Sequence, residues 1–156
     1  MITAGQPLGR GAGRGIAGGL ALALIVACGA QTTVPSDWQR RQAKLNEVTT
    51  LWAQIRQFRR EAGMEVEPSP ASTLQWRDRS VKEAARVCPD GHSVPKTCDE
   101  ICSLADAICD NAEAICDIAS ELGKDDQMAQ EKCTSAKASC REAKQRCCTC
   151  SEELVP

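Results

Sequence analysis

Apolar positions recur every three or four residues through 37–62: Leu45, Val48, Trp52, Ile55 and Ala62, with Leu51 and Phe58 widening the stripe. That period is one face of an α-helix. Ser36 precedes it as an N-cap, Asp37 sits in the first turn where the helix dipole favours an acid, and Gly63 follows as a C′ residue. The spacing predicts a helix over 37–62. Its polar positions are largely basic, with Arg40, Arg41, Lys44, Arg56, Arg59 and Arg60 against Asp37, Glu47 and Glu61. Glu65 to Ser72 (EVEPSPAS) reads as a Pro-punctuated linker. A shorter helix is predicted from Leu74 to Val87, capped by Ser72 or Thr73 and carrying Leu74, Trp76, Val81, Ala84 and Ala85. Residues 88–97 (CPDGHSVPKT) form a loop marked by Pro89, Asp90-Gly91 and Pro95.

The pattern changes in 98–150. Cys102, Cys109 and Cys116 are seven apart, and so are Cys133, Cys140 and Cys147. Seven residues are nearly two helical turns, so each trio lies along one face of its helix. Between the trios, Gly123-Lys124-Asp125-Asp126 supplies a C-cap glycine and an N-cap aspartate, the punctuation of a short turn between antiparallel helices. Residues at equal height in such a hairpin share one index sum. Cys102 with Cys147, Cys109 with Cys140 and Cys116 with Cys133 do share one, and its midpoint falls between Lys124 and Asp125. The intervening heptad positions are Ala105, Ala112 and Ala119 on one helix and Ala143, Ala136 and Ala129 on the other, again with a common sum.

Layers of Cys therefore alternate with layers of Ala. A disulfide requires Cα atoms about 4.4–6.8 Å apart. Helices about 10 Å apart with a Cα radius near 2.3 Å bring facing Cα atoms to about 5.4 Å. Ala permits that approach, whereas Leu would wedge the helices wider. Three rungs follow: Cys102–Cys147, Cys109–Cys140 and Cys116–Cys133. Cys98 lies one turn before Cys102 and Cys150 about one turn after Cys147, so Cys98–Cys150 extends the seam. Elimination leaves Cys88–Cys148.

Charge and a second stripe add a third body. The first hairpin helix carries Asp99, Glu100, Asp106, Asp110, Glu113, Asp117 and Glu121 and no base. The second carries Lys132, Lys137, Arg141, Lys144 and Arg146 against Asp126, Glu131 and Glu142. Opposite signs favour their pairing, although single surface pairs contribute only about 0–1 kcal/mol. Ile101, Ile108, Ile115 and Leu122 form a stripe the Cys/Ala seam cannot use. The basic helix 37–62 fits it, within the chain. Docking of the stripe onto another protein is the alternative.

Residues 1–27 read as an export signal. Arg10 and Arg14 lie in an acid-free, Gly-rich stretch before the apolar run Ile16 to Ala27 (IAGGLALALIVA). Twelve residues are too few to cross a bilayer core that needs about 20, and they suit a signal-peptide apolar region. The run ends Ile25-Val26-Ala27-Cys28-Gly29, which resembles the bacterial lipobox. The resemblance implies cleavage before Cys28, a lipid on its thiol and acylation of the new amine. An ordinary secretory signal with an incidental Cys28 is the plainer alternative. Each buried CH₂ contributes about 0.8 kcal/mol, and two or more acyl chains give stable anchorage. Gly29 stands where an Asp would resemble an inner-membrane retention signal, which points to the outer membrane. Ten cysteines remain besides Cys28, an even number in an oxidising compartment, so five disulfides are expected.

Composition removes several functions. The net charge is −2, which argues against a nucleic-acid binder, whose affinity rests on Lys and Arg at phosphates. One Phe, three Trp and no Tyr supply little for a large apolar core, so small side chains and bridges must carry the fold. His92, the single histidine, lies in the 88–97 loop near Asp90 and Ser93. It reads as a metal ligand or base, or as a solvated loop residue. No catalytic constellation is visible, and no enzyme is expected.

The rival chemistry belongs to the thiols. Cys147-Cys148-Thr149-Cys150 is dense, and soft thiolates suit Cu(I) or Zn. Thiol-lined helical copper stores resemble this chain in cysteine count. They depart from it by recurring at mixed three- and four-residue steps. A disulfide exchanger needs an exposed reactive pair, and Cys147 to Cys150 matches C-x-x-C only in spacing.

The segment CDEIC…LADAICDNAEAICDIASEL…KC…AKASCREAKQRCCTC resembles Cys-rich helical hairpins in lipoproteins of myxobacteria and relatives. That resemblance implies placement and fold, and no activity. The twin-Cys helical hairpins of mitochondria have a nine-residue interval where this chain has six.

The expected fold is all-α: a disulfide-laddered antiparallel hairpin (98–122 and 126–148) with one long and one short N-terminal helix in a small bundle. The chain divides into a signal peptide (1–27), a lipid anchor and tether (28–36), the basic amphipathic helix (37–63), a linker (64–73) and a Cys-rich helical domain (74–156). The expected role is that of a lipid-anchored envelope protein on the outer membrane, facing the periplasm or cell surface. It has no catalysis, no cofactor beyond the lipid on Cys28, the membrane and an envelope protein as partners, and no nucleic acid. Thiol-based Cu or Zn binding or storage is the alternative.

Overall fold

A computed structural model describes residues 35–86 and 94–150. Every regular element among them is helical: α1 (Asp37–Glu61), α2 (Pro70–Gln75), α3 (Val81–Ala84), a 3-10 turn (Lys96–Cys98), α4 (Asp99–Leu122) and α5 (Gln127–Cys148). This is the all-α bundle that the heptads and the 3/4 spacing predict.

Local chemistry sets the ends of α1. Ser36 and Gln39 form a capping box: Ser36 Oγ accepts from Gln39 N at 3.3 Å, and Gln39 Oε1 accepts from Ser36 N at 2.8 Å. At the other end Gly63 takes φ +66°. Its N–H donates to Arg60 O at 3.0 Å, and Met64 N donates to Arg59 O at 2.9 Å. This is a Schellman stop, and only glycine occupies that backbone region without strain.

α4 and α5 form the antiparallel hairpin. Gly123, at φ +91°, ends α4, and Asp126 caps α5 by accepting from Ala129 N at 3.2 Å. Gln130 reaches back across the turn, donating from Nε2 to Ala119 O at 2.9 Å and to Gly123 O at 3.2 Å, and so ties the start of α5 to the end of α4.

α1 docks on α4, as the intramolecular reading of the Ile stripe requires. Val48, Trp52 and Ile55 share one buried cluster with Ile108 and Ile115. Ile101 and Leu122, at the ends of the stripe, are half-buried. α1 runs antiparallel to α4 and parallel to α5. Lys44 pairs with Glu121, Gln54 with Asn111 at 3.1 Å, and Arg41 with the buried Asp126 at 2.8 Å. The side chain of Lys132 lies 4.8 Å from the Trp52 ring centre, closing the third side of that core.

The single helix expected over 74–87 is instead two short ones. Ser69 accepts from Ser72 N at 3.2 Å, and Pro70 occupies the first turn, so α2 begins inside the stretch read as linker. It stops at Trp76. Ser80 then restarts the chain with a second capping box: Ser80 Oγ accepts from Glu83 N at 3.2 Å, and the Glu83 carboxylate accepts from Ser80 N at 2.9 Å. Two serine caps outweigh a thin apolar stripe. Hydrogen bonding to Ser80 also holds the Glu83 carboxyl below its ordinary range. Both short helices pack on α5.

Candidate functional site: the cysteine seam

Six alanines build the seam. Ala105, Ala112 and Ala119 of α4 and Ala129, Ala136 and Ala143 of α5 are all buried to 1% exposure or less. With only a methyl group at each, the two backbones close to disulfide distance. Cα–Cα separations are 4.8 Å for Cys102–Cys147, 4.6 Å for Cys109–Cys140 and 4.7 Å for Cys116–Cys133. These lie below the 5.4 Å expected of two facing helices, because the bridges draw the rods together where the alanines offer no resistance. Cys98–Cys150 extends the ladder at 6.1 Å, across the 3-10 turn and the end of α5, where helical packing no longer sets the spacing.

The rungs differ in exposure. Cys98, Cys109, Cys140, Cys147 and Cys150 are buried, and Cys102 is half-buried opposite a buried partner. Cys116 and Cys133 are both half-buried, and both line an open cleft of about 350 Å³. Its other walls are Arg79, Ser80, Val81, Lys82, Glu113, Asp117 and Lys137. Lys137 donates from Nζ to Arg77 O at 2.6 Å and so ties the segment between α2 and α3 to α5. Burial pushes the Lys137 ammonium below the usual lysine range, and Asp78 partly opposes that shift.

A second polar node fixes the chain that leaves α1. Arg59 is 1% exposed. It donates to Glu65 O at 2.8 Å, to Glu67 O at 3.1 Å and to Glu142 Oε2 at 2.8 Å. The other Glu142 oxygen accepts from Ser69 N and Ser69 Oγ, both at 3.0 Å. One α5 carboxylate therefore holds the end of α1 and the cap of α2 together. The spacing contained this signal: Arg59 continues the Val48–Trp52–Ile55 stripe, so it falls on the buried face.

Three of the four described disulfides are the pairs with a common index sum, and the fourth, Cys98–Cys150, is the expected extension of the seam. Cys148 is also disulfide-bonded. The Cys88–Cys148 pairing lies outside the described residues, because Cys88 does, and so do Cys28 and His92. Among the described residues no three His, Cys, Asp or Glu side chains are grouped to hold a metal ion. No described helix is long and apolar enough to cross a membrane. No protein-family model, curated protein or solved structure matches the chain.

Proposed function

We propose that the chain is a lipid-anchored protein of the bacterial cell envelope, held at the outer membrane through Cys28, with a non-catalytic structural or interaction role. The ladder is the observation that supports this reading. A seam of methyl groups and sulfur depends on oxidation for its persistence. Disulfides of this density belong to exported proteins. A leader-like segment ending in Ile25-Val26-Ala27-Cys28 fits the same compartment. The lipid holds the bundle at the membrane, and the bridges keep it folded in an oxidising compartment. A thiol-based metal store needs thiolates, and the described cysteines are all oxidised.

Growth of producing cells with an alkyne-tagged fatty acid tests the anchor. The expected result is label on the wild-type chain, lost in Cys28→Ser. Equal label on both chains, or on neither, overturns the anchor. Intact mass with alkylation, before and after reductant, tests the oxidised state. Thiols alkylatable without reductant along the seam, or copurifying copper or zinc, favour the metal store.

A further inference from the structure

The ladder has one accessible rung, and its surroundings are electrically lopsided. Cys116 and Cys133 are half-buried together, whereas every other described bridge has at least one buried cysteine. Both line the cleft between the hairpin and the α2–α3 segment. On the Cys116 side the cleft carries Glu113 and Asp117, one turn before and one residue after that cysteine on α4. On the Cys133 side it carries Lys137, one turn further along α5, while Arg79 and Lys82 line the same cleft from the segment above. Carboxylates disfavour a thiolate, whereas ammonium and guanidinium groups favour one. In thiol–disulfide exchange the sulfur that leaves as the better thiolate leaves faster.

We propose that Cys116–Cys133 is a thiol-exchange site, at which an external thiolate attacks Cys116 and expels Cys133. The incoming sulfur forms a bond to Cys116 Sγ as the Cys116–Cys133 bond breaks, and the electron pair stays on Cys133, which then takes a proton from solvent. A monothiol stops there, leaving a mixed disulfide on Cys116 and a free thiol on Cys133. A dithiol continues: its second thiolate attacks its own sulfur in the mixed disulfide and expels Cys116. The products are two protein thiols and a cyclised, oxidised reductant. Two electrons and two protons pass to the protein in all.

The other rungs bracket the consequence. Cys109–Cys140, with one cysteine 7% and the other 0% exposed, keeps the hairpin joined one layer below. Opening the outer rung frees only the turn end. That end carries the Gln130 cap and the Arg41–Asp126 pair, so exchange loosens the contact between the turn and the start of α1.

The test is limited exposure of the oxidised full chain to reduced glutathione or dithiothreitol, followed by acid quench, alkylation and peptide mapping. With dithiothreitol, Cys116 and Cys133 are expected to gain label about ten-fold sooner than any other pair. With glutathione, the adduct is expected on Cys116 and the alkyl label on Cys133. Lys137→Gln is expected to slow the reaction and to shift part of the adduct to Cys133, with the far-UV CD of the oxidised variant unchanged. First labelling at another bridge, simultaneous opening of all rungs, or a wild-type adduct mainly on Cys133 overturns the proposal.

Discussion

The two interfaces of α4 are built on opposite principles. Toward α5 it presents Ala and Cys, and the faces are joined by covalent bonds over small side chains. Toward α1 it presents Ile108 and Ile115 against Val48, Trp52 and Ile55, and none of the described disulfides crosses that face. Large side chains stabilise the folded state directly, by removing apolar area from water. Disulfides act mainly by restricting the unfolded chain. One helix thus carries a seam whose persistence depends on oxidation and a face whose persistence depends on packing, and the two should fail under different insults.

Reduction should have the largest effect. Each bridge contributes about 2–4 kcal/mol, less when loops are nested as here, so loss of the described four outweighs any single substitution. Far-UV CD melts of the reduced chain should show a broad transition at much lower temperature than those of the oxidised chain. Superimposable melts would mean that the alanine seam holds without its bonds. Trp52→Ala removes the largest buried apolar side chain of α1 and should cost about 3–5 kcal/mol in the oxidised protein. Because the bridges do not depend on α1, urea unfolding of that variant should leave a hairpin signal after α1 releases. A single transition taking both would show that the two interfaces are coupled.

Ala136→Leu inserts three heavy atoms between Cys133 and Cys140 of the seam. Overpacking should cost about 1–3 kcal/mol and impede formation of the Cys109–Cys140 bridge, read as newly alkylatable thiols by mass. An unchanged thiol count would remove the claim that alanine is what lets the rods approach.

The smallest effect concerns the segment packed over the seam. The folded pKa of Lys137 lies below its ordinary 10.5, so burial of the charge costs stability in full at neutral pH. As pH rises through the folded value toward 10.5, the native state gives up its proton first and stability rises. The stability of the wild type relative to Lys137→Met should therefore rise over that window. A difference that stays flat or moves the other way contradicts the assignment.

The hairpin was legible because two heptad ladders, one turn signal and one index sum constrain each other. The start of α1 was legible because Ser36 and Asp37 are adjacent to a clear stripe. What stayed hidden was long-range or competitive. Spacing puts Arg59 on the buried face, but its partners there, the Glu142 carboxylate and the carbonyls of Glu65 and Glu67, come from separate segments. Residues 74–87 carry enough apolar residues for a helix, but Pro70 and the Ser80–Glu83 box divide the segment by local hydrogen bonding. The unequal exposure of the rungs depends on where α3 lies, which no heptad encodes. Trp76 is a further case: its ring is buried between Arg79, at 5.1 Å, and Arg141, at 5.4 Å, a packing set by two separate elements.

Non-reducing peptide mapping of the oxidised chain tests the central claim most directly. Trypsin cuts α5 between its cysteines at Lys137 and Arg141, and an acid-specific protease cuts α4 at Asp106, Asp110 and Glu113, so Cys109–Cys140 and Cys116–Cys133 each yield their own cross-linked pair, and fragmentation of the peptide that holds Cys147, Cys148 and Cys150 places the partner of Cys102. The expected pairs are Cys102 with Cys147, Cys109 with Cys140 and Cys116 with Cys133. A pairing that steps between layers, such as Cys109 with Cys133, would contradict the account.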